Sequence, residues 1–168
     1  MSQEVCDLAI RGMPLVPSMV TKTLICIDEM VEHELTGRIL NPYIKEVVPF
    51  TNSMQILGIM ENYFDKISFP QAYFADRRFE YQKRGNSRKL KPEIIRYHPD
   101  EILTENKGKL ATLVLVVQFR QSAEWQGTLE WLEGGNQERK FGSTLDIIRM
   151  LDQAVEQGLG RPVHETWK

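Results

Sequence analysis

The residues best suited to bind a metal or to act as nucleophiles are few and widely separated in this chain of 168 residues. Its histidines are His33, His98 and His164, and none has a cysteine or another histidine at the spacing of metal ligands. Of its two cysteines, Cys26 lies in an apolar run, and Cys6 has no histidine and acid motif beside it. The sequence therefore predicts no metal site, no cofactor, and a compartment that keeps thiols reduced.

Sequence motifs of the common enzyme classes are not found either. The pair Gly134-Gly135 lies inside a predicted hairpin, so it indicates a turn rather than a phosphate-binding loop. No serine has the surroundings of a nucleophile elbow, and the acidic residues form no recognisable catalytic pair. We therefore expect a non-catalytic protein.

A group of polar residues near one end of the second predicted hairpin is a candidate recognition surface for a protein or a small ligand. Its members are Arg120, Gln121, Glu124, Gln126 and Arg139. The competing interpretation is that these side chains simply face solvent, as charged and amide residues usually do. The sequence leaves both interpretations open.

The strongest electrostatic feature is a basic connector in the middle of the chain. Eight basic and two acidic residues between Arg77 and Arg96 give +6, so the rest of the chain carries −8 for a net charge of −2. The candidate nucleic-acid contacts are Arg77, Arg78, Lys83, Arg84, Arg88, Lys89 and Lys91. Interleaved with Phe79 and Tyr81, these cations could contact phosphates while the rings stack on bases. The alternative is a solvated loop between two repeats.

The strands that position the polar residues are clearest after residue 112. Residues 113–120 alternate so that one face is wholly apolar, which predicts a strand. Residues 125–131 alternate between apolar and polar, which predicts a half-buried strand, and 137–141 a short third one. Within the second run, Gly127 leaves room for the ring of Trp125 or Trp131 to lie across the backbone.

A capped helix follows these three strands. Ser143 is the predicted N-cap, and Asp146 three residues later completes a capping box. Apolar residues at helical spacing then predict a helix over 144–155 with one broad buried stripe.

The same order of elements recurs, with a weaker signal, between residues 23 and 67. Matched positions lie 89 residues apart at the start of the unit, then 90, then 91. The matched pairs include Thr23 with Thr112, Gly37 with Gly127, Phe50 with Phe141, and Asn52 with Ser143. This similarity predicts an internal duplication.

Asp28 is the informative exception to the match, because it corresponds to Val117 on a face expected to be buried. One interpretation is a buried carboxylate that serves a site. The other is that the strand bulges or ends near Ile27, and it is favoured because charged residues are seldom buried unpaired.

These patterns predict an α+β fold made of tandem β-β-β-α repeats related by a pseudo-twofold axis. We expect an antiparallel sheet with two helices packed on one face, because that arrangement buries all the one-sided elements at once. The expected organisation is an N-terminal arm (1–22), a first repeat (23–76), the basic connector (77–107), a second repeat (108–157) and a tail (158–168). Together they form one pseudosymmetric domain.

The expected location is the cytoplasm. No apolar run approaches the roughly 20 residues that a membrane span needs, and the N-terminus lacks the basic-then-apolar order of a signal peptide.

The segments FRQSAEWQGTLEWLEGG and FGSTLDIIRMLDQAV resemble small uncharacterised proteins of anaerobic Gram-positive bacteria. Those proteins carry an RQN-x-SWQG segment, a W-x-E and an FRSxLELxxLxDSAL helix. Their first half resembles GRILNPYIKEVVPF and ILGIMENYFDKISFPQA here, so the similarity covers residues 36–155. This chain departs at Ser122, at Glu124, and at Gly142, where an arginine is usual. The resemblance implies small size and an intracellular, bacterial protein, and it assigns no activity.

The leading functional hypothesis is a non-catalytic binding or adaptor module that recognises a protein or small ligand through the hairpin ends and the sheet surface. The alternative is single-stranded nucleic-acid binding through the basic connector and the sheet face. Whirly and PUR-type single-strand binders also contain tandem sheet-then-helix repeats, but with four strands per repeat rather than three. Homodimerisation through a strand edge or the open face of the sheet is a further expectation.

Overall fold

The computed structural model describes residues 18–70, 72–73 (backbone only), 94–121 and 124–160. The strands are β1 (Thr23–Val31), β2 (Glu34–Leu40), β3 (Val48–Phe50), β4 (Ala72–Tyr73), β5 (Ala111–Gln121), β6 (Glu124–Trp131) and β7 (Gln137–Phe141). The helices are α1 (Ser53–Ile67), α2 (Ile102–Glu105) and α3 (Thr144–Gly158), and a 3-10 turn (Ser18–Thr21) precedes β1.

Six of the strands form an antiparallel sheet in the order β3-β2-β1-β5-β6-β7. The short β4 pairs in parallel with the far end of β5, where Ala72 lies opposite Arg120. The α+β class and the antiparallel sheet are therefore confirmed. The sequence did not predict β4, because a two-residue strand has too little alternation to show a pattern.

The sheet is joined at its centre by β1 and β5, whose register is symmetric. The pairs are Thr23 with Leu115, Leu24 with Val114, and Ile25 with Leu113. Each half of the chain thus contributes three consecutive strands, β1–β3 on one side of this seam and β5–β7 on the other.

The two hairpins share a bulge at the same place. The register shifts between Ile27 and Glu29 in β1, and between Val117 and Phe119 in β5. Asp28 is therefore the bulged residue of its strand, as the bulge interpretation predicted. The residue of β5 that corresponds to Asp28 is Gln118, 90 positions later, and not Val117 as the sequence comparison predicted. The two halves are already 90 residues apart just before the bulge, at Ile27 and Val117.

A glycine stands beside each bulge because nothing larger fits. Gly37 pairs with Ile27 and Phe50, and Gly127 pairs with Val117 and Phe141. A Cβ built on Gly127 would lie 1.9 Å from the carbonyl oxygen of Val116 and 3.0 Å from the ring of Phe141. The ring that crosses Gly127 is thus that of Phe141, and the expectation of a tryptophan there was wrong.

Both long helices begin with the same hydrogen-bond arrangement. The side-chain oxygen of Asn52 accepts from the Gln55 amide at 2.9 Å, and Ser143 Oγ accepts from the Asp146 amide at 3.2 Å. Gln55 and Asp146 then accept in return from the amides of the residues before the caps. These reciprocal bonds satisfy amides that lack helical partners and fix where each helix begins.

The main core is a single cluster of buried apolar side chains that joins the sheet with both long helices. It includes Ile25 and Leu113 from the central strands, Phe64 from α1 and Leu151 from α3. A smaller cluster contains Leu24, Cys26, Leu40, Val114 and, from α2, Leu103. Successive strand residues belong to different clusters, as alternation requires.

Within the described ranges, every helix is too short or too polar to cross a lipid bilayer. The arm up to residue 17, the last three residues of the predicted first repeat (74–76), residues 77–93 of the basic connector, and the tail from residue 161 lie outside those ranges.

Candidate functional site

A small pocket lies between α3 and the sheet strands of the second half of the chain. Its volume is about 150 Å³. The apolar lining consists of Leu113, Leu129, Trp131, Met150 and Ala154. These residues come from β5, β6 and α3, so the pocket is built on regular elements rather than on loops.

The remaining lining residues are polar and belong to β7 and α3. They are Gln137, Arg139, Gln153 and Gln157. Arg139 is paired across the sheet with Leu129, which places both at the pocket. Apolar and polar residues thus contribute about equally to the lining, which suits a ligand that carries both an apolar part and a polar group.

The indole of Trp131 is the most unusual group at this pocket. Its Nε1–H is buried and finds no hydrogen-bond partner among the residues that the structure describes. Trp125 gives the contrast, because its Nε1–H donates to Glu61 Oε2 at 2.9 Å. A buried donor left unpaired costs about 1–3 kcal/mol, so the fold holds this indole at a cost in stability.

The position of this indole is fixed by the turn that follows β6. A Cβ built on Gly134 would lie 2.1 Å from Cε3 of Trp131, so the ring packs directly on the glycine backbone. The turn continues through Gly135 and Asn136, both at positive φ, which glycine and asparagine tolerate best. The turn that the sequence predicts at Gly134-Gly135-Asn136 therefore holds the Trp131 indole in position.

Arg139 supplies the charge of the pocket. It is exposed, and it is the only charged residue in the described lining. No ion pair joins it to an acid in the described part of the chain. Its guanidinium is thus available to an anionic or hydrogen-bond-accepting group.

Arg120, predicted alongside Arg139, is not at the surface. It is 4% exposed and pairs with Glu61 at 3.1 Å and Asp65 at 3.0 Å. Its Nε also donates to the Pro70 carbonyl at 2.9 Å, and its guanidinium lies 5.5 Å from the centre of the Phe64 ring. These contacts tie β5 to α1 and its C-terminal end.

Gln121, Glu124 and Gln126 are exposed near the end of the β5–β6 hairpin. Gln121 lies opposite Glu124, and Gln126 lies opposite Phe119, which is itself 59% exposed. The structure groups these three side chains but places Arg139 elsewhere, beside the pocket. Their role in recognition stays a prediction.

The candidate nucleic-acid contacts Arg77, Arg78, Lys83, Arg84, Arg88, Lys89 and Lys91 all lie outside the described residues.

The polar groups around Asp28 satisfy one another. Its carboxylate pairs with Arg38 and accepts from the Lys109 amide at 3.1 Å, and Arg38 also donates to the Lys107 carbonyl at 2.9 Å. Cys26 lies opposite Arg38 on the adjacent strand, and burial raises the pKa of its thiol to about 11, so the thiol stays protonated at neutral pH. In the described ranges, no three His, Cys, Asp or Glu residues are grouped as metal ligands. This region therefore offers structure rather than reactive groups.

Sequence reasoning found Arg139 but missed the rest of the pocket. Trp131 and Met150 read as core residues, which they partly are. The sequence feature that could have indicated the pocket is the pair Gln153 and Gln157, which lie one helical turn apart at the border of the apolar stripe of α3. Compared with protein-family models, curated proteins and solved structures, the chain gives no match.

Proposed function

We propose that this protein is a non-catalytic binding module that takes a small molecule with an apolar body and an acceptor group into the pocket beside α3. The observation that carries the proposal is a pocket lined by the Trp131 ring and by aliphatic side chains, whose charge comes from Arg139. An anionic acceptor would receive charge-assisted hydrogen bonds, which are about twice as strong as neutral ones.

The apolar part of the ligand would contact the leucine, methionine and alanine side chains of the pocket. Burying each CH₂ contributes about 0.8 kcal/mol, so a body of a few carbons gives useful affinity. The pocket volume of about 150 Å³ restricts the ligand to a small molecule.

Titration with small carboxylates, such as benzoate and hexanoate, tests the proposal. We expect the Trp131 Nε1–H resonance to shift saturably in ¹H–¹⁵N NMR spectra. Arg139→Gln should weaken carboxylate binding about tenfold or more, because it removes a charge-assisted bond worth about 1.5–3 kcal/mol. Lys140→Gln is the matched control: Lys140 is the next residue on β7, exposed, and opposite Thr128 rather than Leu129. Failure of every carboxylate to bind would refute the proposal.

Single-stranded nucleic-acid binding is retained as the second candidate because of the +6 charge between Arg77 and Arg96. A labelled oligothymidylate should then bind with an affinity that falls steeply with salt, because bound counterions are released. Replacing Arg77, Arg78, Arg84 and Arg88 with glutamine should abolish that binding. A salt-independent affinity, or one unchanged by these substitutions, would remove this candidate.

We also infer that the two β-β-β-α units arose by duplication, with both long helices on one face of the sheet. The matched bulges, glycines, phenylalanines and helix caps support this origin, and the main core cluster, which contains residues of both helices, supports the shared face. An experimental structure in which the two units cannot be superposed would contradict it. A cytoplasmic location and homodimerisation remain expectations.

A further inference from the structure

The pocket has a counterpart in the first half of the chain, which can be located by counting from shared landmarks. Tyr63 and Ala154 each lie eleven residues after the N-caps, Asn52 and Ser143. In the same way Asn41 and Trp131 each lie four residues after the paired glycines of the hairpins. Thr23 and Leu113 correspond because they lie four residues before the strand residues that pair with those glycines, Ile27 and Val117, so the match of Thr23 with Thr112 was wrong by one residue.

In the first half, the corresponding residues fill their space with a phenol ring. Tyr63 is buried, and its hydroxyl donates to the Val20 carbonyl at 2.7 Å and lies 3.5 Å from Asn41 Oδ1. Asn41 Nδ2 in turn donates to Thr23 Oγ1 at 2.9 Å. The ring, the amide and the hydroxyl form one closed, hydrogen-bonded unit.

In the second half, the three corresponding residues are Ala154, Trp131 and Leu113, and all three line the pocket. Alanine carries none of the ring that tyrosine places at this position. The pocket therefore occupies the place that a tyrosine ring fills in the first half. An engineered cavity of about 150 Å³ in another protein binds benzene, so this volume suits a single ring.

We infer that the ligand is a monocyclic aromatic acid whose ring replaces the missing phenol and whose carboxylate faces Arg139. This inference rests on the proposed function and adds the chemical class. Trp131 and the Met150 thioether favour an aromatic body, because aromatic and sulfur–aromatic contacts add to simple burial. Arg139 favours a carboxylate, which matches the guanidinium fork.

The test compares benzoate with cyclohexanecarboxylate, hexanoate and benzamide by the Trp131 Nε1–H resonance. We expect benzoate to bind about two- to tenfold tighter than cyclohexanecarboxylate, the range of aromatic pair contacts. Benzamide should bind about tenfold weaker than benzoate through loss of the charge. Equal or tighter binding of the saturated acids would overturn the aromatic class while leaving the proposed function intact. No binding by any of the acids would instead refute the proposed function.

Two substitutions test the correspondence with Tyr63. Ala154→Tyr should fill the pocket with the ring of the new side chain, and it should therefore abolish benzoate binding and raise the melting temperature. Tyr63→Ala should open a second site, so that phenol raises the melting temperature of this variant but not of the wild type. Tyr63→Phe, which keeps the ring, is the control and should not respond to phenol. The inference is wrong if Ala154→Tyr still binds benzoate, or if phenol leaves a folded Tyr63→Ala variant unchanged. If Ala154→Tyr fails to fold, the ring does not fit the pocket and the inference is likewise overturned.

Discussion

Arg120 donates to a single oxygen, Oδ1 of Asp65, from both of its terminal nitrogens at 3.0 Å. The two residues are 55 positions apart, one on β5 and the other on α1. With the contacts to Glu61 and the Pro70 carbonyl, Arg120 joins α1 in the first half of the chain to β5 in the second half. The first half has Met30 where the second has Arg120, 90 positions later, so this contact is made on one side only.

Arg120→Met should therefore lower the free energy of unfolding by about 1.5–3 kcal/mol, the range for hydrogen bonds to charged groups. The loss stays below that of a fully buried ion pair, because Asp65 is more than half exposed and regains water. Urea unfolding measures the change, with exposed Lys140→Met as the control. An unchanged midpoint would mean that the contact contributes nothing to stability.

The glycines beside the bulges should be intolerant of any side chain. A Cβ would lie 2.0 Å from the Cys26 carbonyl at Gly37, and 1.9 Å from the Val116 carbonyl at Gly127, and backbone cannot move aside as a side chain can. We expect Gly37→Ala and Gly127→Ala each to cost at least about 1–3 kcal/mol, as overpacked cores do.

Gly58→Ala is the matched control for these two glycines. A Cβ at this exposed position of α1 would meet nothing within 4 Å. Alanine should stabilise the helix by about 0.5–1 kcal/mol. Thermal melts of the three variants give the comparison, and equal effects at Gly37, Gly58 and Gly127 would contradict the steric argument.

The strands and the long helices could be predicted because their signals are local. Alternation marks β5, and the capping residues Asn52 and Ser143 mark where α1 and α3 begin. The bulge at Asp28 was also foreseen, because a charged residue on a buried face conflicts with its surroundings.

The pocket and the Arg120 contacts could not be predicted in the same way. Ala154 has the pattern of any core residue, and its small size matters only against the tyrosine of the other half. The partners of Arg120 lie on a helix far away in the sequence, so nothing near Arg120 distinguishes a buried guanidinium from an exposed one. Both features depend on how distant elements pack, which periodicity does not encode.

Gly134→Ala should change the shape of the pocket, although Gly134 is not one of the residues that line it. The added methyl group would overlap the Trp131 indole, so the ring must move. We expect carboxylate affinity to fall several-fold and the Trp131 Nε1–H resonance to shift in the free protein. Gly135→Asn is the control, because the left-handed backbone there tolerates asparagine and a Cβ meets nothing within 4 Å. Unchanged affinity in Gly134→Ala would show that the indole position does not matter to binding.

Cys26 should resist alkylation in the native protein. Burial raises the pKa of its thiol to about 11, and only the thiolate reacts. In a Cys6→Ser background, we expect no labelling by iodoacetamide at pH 7.5 until urea unfolds the chain. Mass spectrometry of the alkylated fraction measures this, and rapid labelling of the folded protein would show that the thiol is accessible.

The carboxyl group of Asp152 makes the stability of the protein depend on pH, and the direction of its pKa shift sets the sign of this dependence. Burial, with Glu156 and Glu34 nearby, raises the pKa of this carboxyl above its ordinary value. The folded state then holds the proton more tightly than the unfolded state, whose Asp pKa is about 3.9. The contribution of Asp152 to stability is thus greatest below the unfolded pKa and falls as the pH rises through the folded pKa.

Asp152→Asn should remove this fall. The variant should therefore be more stable than the wild type above the folded pKa and should lose that advantage at acidic pH. Urea midpoints between pH 3 and pH 7 measure the difference, and a constant difference across that range would contradict the assignment.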